Sequence, residues 1–275
     1  MILCHIEANW QRFIQMTLVL FIIFAAILGS FLASFIYRFT NKNILKESYV
    51  SKINIFTEPS FCPHCKTKID WYHLIPVLSY LFLRRKAKCC GATISSRYFM
   101  TEILVISLFL IIFITNEDIS LIFLKSLITL NLIFIALIDH EHKVIPLNSL
   151  LSLTVFAIVL SLQTNILNLS ELFVVLVSGL ILLSLRWFYL KFKNREGLGL
   201  GDVILFPILT LMVPMNIVPI LLLTASLLGI VEFLVSTKLK KDSEIAFGSH
   251  LSIAGYLGLI NFYPILQINF FEIVF

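Results

Sequence analysis

Long apolar stretches, repeated along most of the chain, are the feature that most constrains how this sequence folds. Hydrophobic residues make up 59% of the 275 residues, charged residues only 13%, and 25 residues are phenylalanine. A membrane-spanning helix needs roughly 20 consecutive apolar residues, whereas a soluble domain of this size cannot bury so much apolar surface. The sequence therefore predicts an all-α fold, a polytopic membrane helical bundle.

Eight windows are long and apolar enough to be predicted spans. They cover about 16–38, 99–115, 119–138, 147–163, 171–192, 203–220, 221–237 and 248–265. The first run continues to Phe39, which is too long for the core of a cleaved signal peptide, so we expect it to be a span. The boundaries near the sixth and seventh windows are poorly defined, because Pro207, Pro214 and Pro219 interrupt the apolar pattern.

The distribution of basic residues predicts the orientation in the membrane. Ten of the 21 lysines and arginines lie in the segment 39–98, and none lies in the turns near 116–118, 164–170 and 214–219. Further basic residues follow the third, fifth and seventh predicted spans: Lys143, Lys191, Lys193, Arg195, Lys238, Lys240 and Lys241. By the positive-inside rule, the basic loops face the cytoplasm and both termini face outward. We expect a lipid bilayer as partner and no nucleic acid.

The segment 39–98 is long enough for a small domain and contains four cysteines, Cys62 and Cys65 in "CPHC" and Cys89 and Cys90 in "KCCGA". Two thiolates from each of two tight turns can surround Zn²⁺, and cytoplasmic thiols stay reduced. The pattern favours a zinc-ribbon-like loop domain with a structural zinc. Because adjacent cysteines rarely bind one ion, a histidine (His64 or His73) is an alternative ligand, and unligated thiols are a second alternative.

Two aspartates are predicted to lie at the cytoplasmic edge of the membrane. Asp139 ends the third span in "IALIDHEHKVIP", and Asp202 precedes the sixth in "GLGLGD". Ionisable residues at membrane depth are costly and are usually functional. Solvation in a loop is the alternative for Asp139. We expect the glycines before Asp202 to give the backbone conformational freedom, and the helix N-terminus to stabilise its carboxylate.

Facing carboxylates favour aspartic protease chemistry. Two carboxylates about 3 Å apart keep one proton between them, so one activates a water as general base while the other polarises the scissile carbonyl. A transporter is the rival from another class, with Asp139, His140, Glu141 and His142 as cation ligands. We do not favour it, because a carrier needs more polar groups near mid-bilayer than these spans contain.

Six stretches of sequence together resemble one known family. They are "GSFLASFIYR" (29–38), "CPHCKTKIDWYHLIPVLSYLFLRRK" (62–86), "ISSRYFMTE" (94–102), "LIDHEHKVIP" (137–146), "GLGLGD" (197–202) and "AFGSHLSIAGYLG" (246–258). In this order they resemble the type IV prepilin peptidases (prepilin leader peptidase/N-methyltransferases), membrane aspartic proteases with a GxGD motif. The resemblance spans nearly the whole chain.

The resemblance implies a function and assigns residues to it. Family members cut the basic leader of prepilins and pseudopilins after a glycine, at the cytoplasmic face of the bacterial inner membrane. They then methylate the new N-terminus with S-adenosyl-L-methionine. The resemblance makes Asp139 and Asp202 the catalytic aspartates and Gly199 and Gly201 the motif glycines. It also implies a division into a first span (1–38), a methyltransferase loop (39–98) and a peptidase core (99–275).

The loop departs from the family pattern at two positions. Cys62, Cys65 and Cys90 match three of the family's four metal-site cysteines, but the remaining one falls at Ala87, with Cys89 two residues away as a substitute. Arg85 replaces a glycine in a stretch linked to methyl transfer. A leader peptidase without methyltransferase activity is therefore the alternative within the same family.

Overall fold

The architecture comes from a computed structural model, which describes residues 2–45, 60–193, 197–238 and 245–261. For residues 2–14 the description is limited to the backbone. Several sequence predictions concern residues outside these ranges, namely those for Arg195, Lys240, Lys241 and the end of the eighth predicted span.

Helices dominate the described ranges, which confirms the predicted all-α class. The nine α-helices there are α1 (Ile2–Phe39), α2 (Leu78–Phe82), α3 (Ser96–Thr115), α4 (Ile119–His142), α5 (Leu147–Gln163), α6 (Leu169–Lys193), α7 (Leu200–Thr210), α8 (Val218–Lys238) and α9 (Phe247–Leu259). A π-helical turn (Thr40–Ile44) and two 3₁₀ turns (Trp71–Leu74 and Met215–Ile217) accompany them. Extended pairing among the described residues is limited to two isolated bridges, Phe61–Lys68 and Lys86–Thr93.

Within the described ranges, five helical stretches are long and apolar enough to cross a membrane, so the chain is a multi-pass membrane protein. They are Gln15–Ile44, Ser96–Thr115, Ile119–His142, Leu169–Lys193 and Met215–Thr237. Helices α5, α7 and α9 are shorter, with 17, 11 and 13 residues. The prediction of eight complete spans therefore stays a prediction.

The sixth predicted span, 203–220, differs from the structure at its end. Helix α7 stops at Thr210, and a turn beginning at Pro214 leads into α8 at Val218. Pro219 lies in the first turn of α8, where a missing backbone N–H breaks no helical hydrogen bond. Proline at that position starts a new helix instead of kinking the old one.

The chain divides into two compact units, Met1–Ile114 and Thr115–Phe275. In the first, α1 approaches α3 closely at Gly29, where a Cβ would lie 3.1 Å from the Cα of Glu102. Further along the same helices, the rings of Phe21 and Phe109 stack with centroids 5.8 Å apart. The predicted division at residues 38 and 98 is a functional one and stays a prediction.

In the second unit, α4 contacts α5 and α9, and α8 packs against α9. Helix α7 contacts α5, α6 and α9. The side chains of Leu205 and Leu209 on α7 are completely buried. This packing brings the start of α7, the start of α9 and the end of α4 into the same part of the unit.

Close packing of α9 on α7 depends on Gly255. A Cβ at this position would lie 2.7 Å from Cδ2 of Leu209, whose side chain has no exposed surface and little room to move. A Cβ at Gly229 of α8, by contrast, would meet nothing closer than 3.5 Å.

We expect Gly255→Ala to destabilise the protein by about 1–3 kcal/mol, because it overpacks the contact with Leu209. The matched variant Gly229→Ala should be neutral or should stabilise by up to about 1 kcal/mol through helix propensity. Thermal unfolding of the detergent-solubilised protein measures both. Equal midpoints for the two variants would contradict this account of the α7–α9 contact.

Candidate active site

Asp139 lies in the last turn of α4, and its carboxylate contacts the start of another helix. The side chain is 5% exposed, and Oδ2 accepts a hydrogen bond of 2.8 Å from the backbone N–H of Ser249. Ser249 is the third residue of α9, whose N-cap residue, Ala246, has no side-chain acceptor. Asp139 therefore occupies the place of a capping side chain for α9.

Asp202 lies in the first turn of α7 and is 9% exposed. Gly199 is the N-cap residue of that helix, and its backbone N–H donates to the Asp202 carboxylate. An acidic residue at the third helical position that bonds back to the N-cap N–H is one half of a capping box. Each aspartate thus faces the positive end of a helix, Asp202 that of α7 and Asp139 that of α9.

The two carboxylates converge on Gly248. A Cβ at Gly248 would lie 2.9 Å from Oδ1 of Asp202 and 3.0 Å from Oδ2 of Asp139. One point in space is therefore within hydrogen-bonding distance of both carboxylates. The aspartates are 63 positions apart in sequence, and the structure brings them together.

The glycines near the pair provide space. Gly199 has φ −65° and ψ 145°, which any residue can adopt, and among the described glycines a positive φ occurs at Gly91 alone. A Cβ on Gly201 would lie 2.9 Å from Cβ of Ile145, and one on Gly199 would lie 3.1 Å from Oδ2 of Asp202. The conformational freedom expected of these glycines stays a prediction. Close approach of Ile145 and of the carboxylate is the reason for these glycines.

A glutamate on α8 connects the two segments that hold Asp139. Oε2 of Glu232 lies 2.6 Å from Nε2 of His250, the residue after Ser249. Its other oxygen lies 3.8 Å from Nδ1 of His140, the residue after Asp139. His250 is 8% exposed. Glu232 therefore bridges the end of α4 and the first turn of α9.

The four residues considered as cation ligands do not form a site. Asp139 is buried, whereas His140 and Glu141 are exposed. In the described part of the chain, the group of metal-ligating side chains that converge consists of four cysteines and includes none of these residues. The transporter alternative has no structural basis at this position.

The four loop cysteines converge in the first unit. Their sulfur atoms all lie within 4.8 Å of one another, with Cys62–Cys90 at 3.8 Å and Cys65–Cys89 at 3.2 Å. Bonds of 2.3 Å in a tetrahedral zinc site place sulfurs about 3.8 Å apart. Hydrogen bonds with Thr67 lower the pKa of the Cys65 thiol to about 6, which favours its thiolate. A hydrogen bond with Thr67 also lowers the pKa of the Cys89 thiol, but hydrogen bonds with the other three thiols and burial together outweigh it and raise that pKa to about 11. The histidines proposed as alternatives, His64 and His73, lie outside the group.

Two equivalent turns present these cysteines. In the first, the N–H of Lys66 donates to the carbonyl of Cys62 at 2.9 Å, and in the second, the N–H of Gly91 donates to that of Ala87 at 2.7 Å. Each turn is flanked by one of the two isolated bridges. By this correspondence Ala87 takes the place of Cys62, and Cys90 that of Cys65. Cys89 supplies the fourth thiol from inside the second turn.

Sequence reasoning assigned no role to several residues of the site. These are Ile145, Glu232, Gly248, Ser249 and His250. One signal was present, because Glu232 is an acidic residue inside an apolar window, where an ionisable group usually has a function. Ile145 and Gly248 lie in two of the stretches that carry the family resemblance, but their roles depend on tertiary contacts that the sequence does not reveal.

Comparisons with known proteins match both parts of the chain. Residues 23–116 match the family described as "Bacterial Peptidase A24 N-terminal domain", and residues 126–234 match "Type IV leader peptidase family". No solved structure matches the chain.

Curated relatives are similar over most of their length. A protein of Dichelobacter nodosus is 32% identical over 254 residues, covering 86% of this chain and 88% of that relative. One from Pectobacterium carotovorum is 30% identical, covering 85% and 89%. One from Dickeya chrysanthemi is 29% identical, covering 91% and 94%. All three are named "Prepilin leader peptidase/N-methyltransferase".

We expect Glu232→Gln to destabilise the protein by about 1–2 kcal/mol, because it removes the charge-assisted bond to buried His250. As a control, Glu141→Gln removes a carboxylate 3.8 Å from His142 at a more exposed position, and it should cost no more than about 1 kcal/mol. Chemical unfolding of the two variants compares them. A loss for Glu232→Gln no larger than for Glu141→Gln would show that the bridge does not hold these segments.

Proposed function

This chain belongs to the type IV leader peptidase family, and on that premise we propose that it removes the leader of type IV prepilins with Asp139 and Asp202 as its catalytic residues. The convergence of both carboxylates on Gly248 is the observation that carries the proposal. The relatives named above supply the substrate class and the second activity, N-methylation of the new N-terminus.

The pair performs hydrolysis through a bound water. The ionised carboxylate takes a proton from the water, and the oxygen of that water attacks the carbonyl carbon of the scissile bond. The protonated carboxyl gives its proton to the carbonyl oxygen, which forms a gem-diol. When the gem-diol collapses, the C–N bond breaks. The carboxyl that took the proton of the water gives it to the departing amine nitrogen, and the other carboxylate takes a proton back from a hydroxyl of the gem-diol. Two nearby carboxylates in a buried site suit these roles, because they cannot both ionise cheaply.

We assign the ionised role to Asp139. Its carboxylate accepts a hydrogen bond of 2.8 Å from the backbone N–H of Ser249 at the N-terminus of α9, and the basic residue Lys143 follows four residues later. These groups favour a negative charge. Asp202 then carries the shared proton and points it at the carbonyl oxygen.

The bilayer determines where cutting takes place. Asp139 ends a helix long enough to cross the membrane, and basic Lys143 follows four residues later. Under the positive-inside rule this end lies on the cytoplasmic side of the bacterial inner membrane. A prepilin has a basic leader followed by an apolar helix, so its cleavage site would meet the pair at this boundary.

Methyl transfer is the second proposed activity, with S-adenosyl-L-methionine as donor. The cavity among residues 72–83 does not fit that donor, because it offers no carboxylate for the donor's positively charged amino and sulfonium groups. Its lining consists of Tyr72, His73, Ile75, Leu78, Ser79, Phe82 and Leu83. A peptidase without methyltransferase activity is the second candidate function, favoured by Arg85 at a position where the family has glycine.

We also propose a structural zinc held by Cys62, Cys65, Cys89 and Cys90. A closed set of four thiolates leaves no open position for a substrate, which is typical of structural sites. The ion would fix the two equivalent turns to each other, since each turn supplies two ligands.

We expect Asp139→Asn and Asp202→Asn each to reduce prepilin cleavage by on the order of 10³-fold, because each removes one partner of the acid–base pair. Purified prepilin and mass spectrometry of the product measure the cut and the methyl group separately. Asp118→Asn is the matched control, because Asn also caps a helix well. Asp118 caps α4 at its other end.

The outcomes separate the proposals. Cleavage retained in either aspartate variant would exclude the pair as catalytic. A correct cut with an unmethylated N-terminus in the unaltered protein would establish the second candidate function.

We expect Cys62→Ser to lose its bound zinc, measured as metal per chain by mass spectrometry. The double variant Ala87→Cys/Cys89→Ser should keep it, because Ala87 occupies the position equivalent to Cys62 in the second turn. Cys4→Ser, at a position distant in sequence from the other four cysteines, is the control for removal of a cysteine. Zinc retained after Cys62→Ser would exclude the site, and zinc lost from the double variant would contradict the equivalence of the turns.

A further inference from the structure

A band of large apolar side chains is exposed beside the cysteine cluster. We call it the apolar band, and its members are Trp71, Tyr72, Leu74, Ile75, Leu78, Leu81 and Phe82. Trp71 is 77% exposed and Phe82 is 83% exposed. Contiguous apolar surface of this kind is rare on a part of a protein that faces water and usually marks a contact with a partner or a membrane.

Two contacts join the segment that carries the apolar band to the first turns of α3. The backbone N–H of Val77 donates a hydrogen bond of 2.6 Å to the carboxylate of Glu102. The rings of Tyr80 and Phe99 stack with centroids 4.6 Å apart. Glu102 is the seventh residue of α3, which places it about 9 Å along the helix axis. The segment therefore lies beside the helix, not beyond its end.

That position coincides with the membrane boundary. Helix α3 is one of the helices long and apolar enough to cross a bilayer. Its exposed apolar side chains begin at Met100 and continue with Ile103 and Leu104, so lipid contact starts at about the level of Glu102. The headgroup region on each side of the hydrocarbon is only about 5–8 Å thick. A segment bonded to Glu102 lies within reach of this layer.

Basic residues follow the apolar band directly. Arg84, Arg85, Lys86 and Lys88 are all exposed. The ammonium group of Lys88 lies 5.7 Å from the centre of the Tyr72 ring, next to the band itself. Basic residues next to aromatic and aliphatic side chains are typical of segments that bind the surface of anionic membranes.

We propose that residues 71–88 form an interfacial membrane-binding segment. The apolar band inserts at the level of the lipid headgroups and upper acyl chains, and Arg84, Arg85, Lys86 and Lys88 bind anionic headgroups. Trp71 and Tyr72 suit this depth, because their rings are apolar and their polar atoms stay near water. The cysteine pairs flank the segment in sequence, so the segment holds the loop domain at the bilayer surface.

The three tryptophans of the chain allow a direct test. In the full-length variant Trp10→Phe/Trp187→Phe, Trp71 is the sole tryptophan. It would be placed in vesicles of phosphatidylcholine and phosphatidylglycerol that contain lipids brominated at defined depths. Bromines near the top of the acyl chains should quench its fluorescence more than bromines at the midplane. Aqueous iodide should quench it several-fold less than it quenches a tryptophan free in water.

The variant Trp10→Phe/Trp71→Phe is the positive control, because Trp187 lies in the apolar helix α6 and is 58% exposed. A second reporter, Phe82→Trp in a chain without the natural tryptophans, tests the other end of the apolar band. Unchanged thermal unfolding confirms that these variants fold.

Strong iodide quenching without bromolipid quenching would place the apolar band in water and overturn the proposal. Quenching by neither agent would show that another part of the chain covers it, which also overturns the proposal. Replacing Arg84, Arg85 and Lys86 by glutamine should raise iodide access in anionic vesicles several-fold. No change in access would remove the anionic-headgroup part of the proposal. None of these outcomes depends on peptidase activity.

Discussion

Two carboxylates held together in an apolar environment are the constraint on which the rest of the second unit depends. Removing a carboxylate from water is costly, and placing a second one beside it is more costly still. The fold offsets this cost with two helix N-termini. Helix α7 presents the N–H of Gly199 to Asp202, and α9 presents that of Ser249 to Asp139. Backbone N–H groups at a helix start lack the usual helical acceptor four residues earlier, and that of Ser249 has only the carbonyl of Ala246, at 3.2 Å, besides the carboxylate. The same hydrogen bonds therefore satisfy backbone N–H groups at the helix starts and stabilise the buried carboxylates.

Space for this arrangement comes from glycine. Gly201 and Gly248 both face Ile145, and a Cβ on Gly248 would lie 2.5 Å from Cδ1 of that side chain. Ile145 belongs to the short connection between α4 and α5, so the connection lies against the starts of both α7 and α9. Bulk at either glycine would separate the helices that bring the acids together.

The sequence correctly predicted the fold class and a multi-pass membrane protein. It also singled out the two aspartates, whose catalytic role stays a prediction, but it did not reveal what surrounds them. Apolar windows and basic loops are visible in the sequence because the bilayer surrounds every residue of a span and so constrains the local composition. Gly248 is different, because its role arises from a contact with α4, more than 100 positions earlier. The cysteines show the same limit. Adjacent Cys89 and Cys90 argued against a shared ion, yet the turn that contains Ala87 directs both thiols inward. Spacing alone does not reveal that turn.

The short lengths of α7 and α9 suit the positions of the two carboxylates. At about 1.5 Å per residue, 11 and 13 residues span roughly 16 and 20 Å, less than the roughly 30 Å of the hydrocarbon core. A helix that crossed the whole hydrocarbon core would begin in the headgroup region, where water already satisfies its first backbone N–H groups. A helix that begins at the level of the aspartates instead directs those groups at the carboxylates. At its other end, α7 stops before the turn at Pro214 and does not continue across the core. The interrupted apolar pattern there coincides with the end of this short helix.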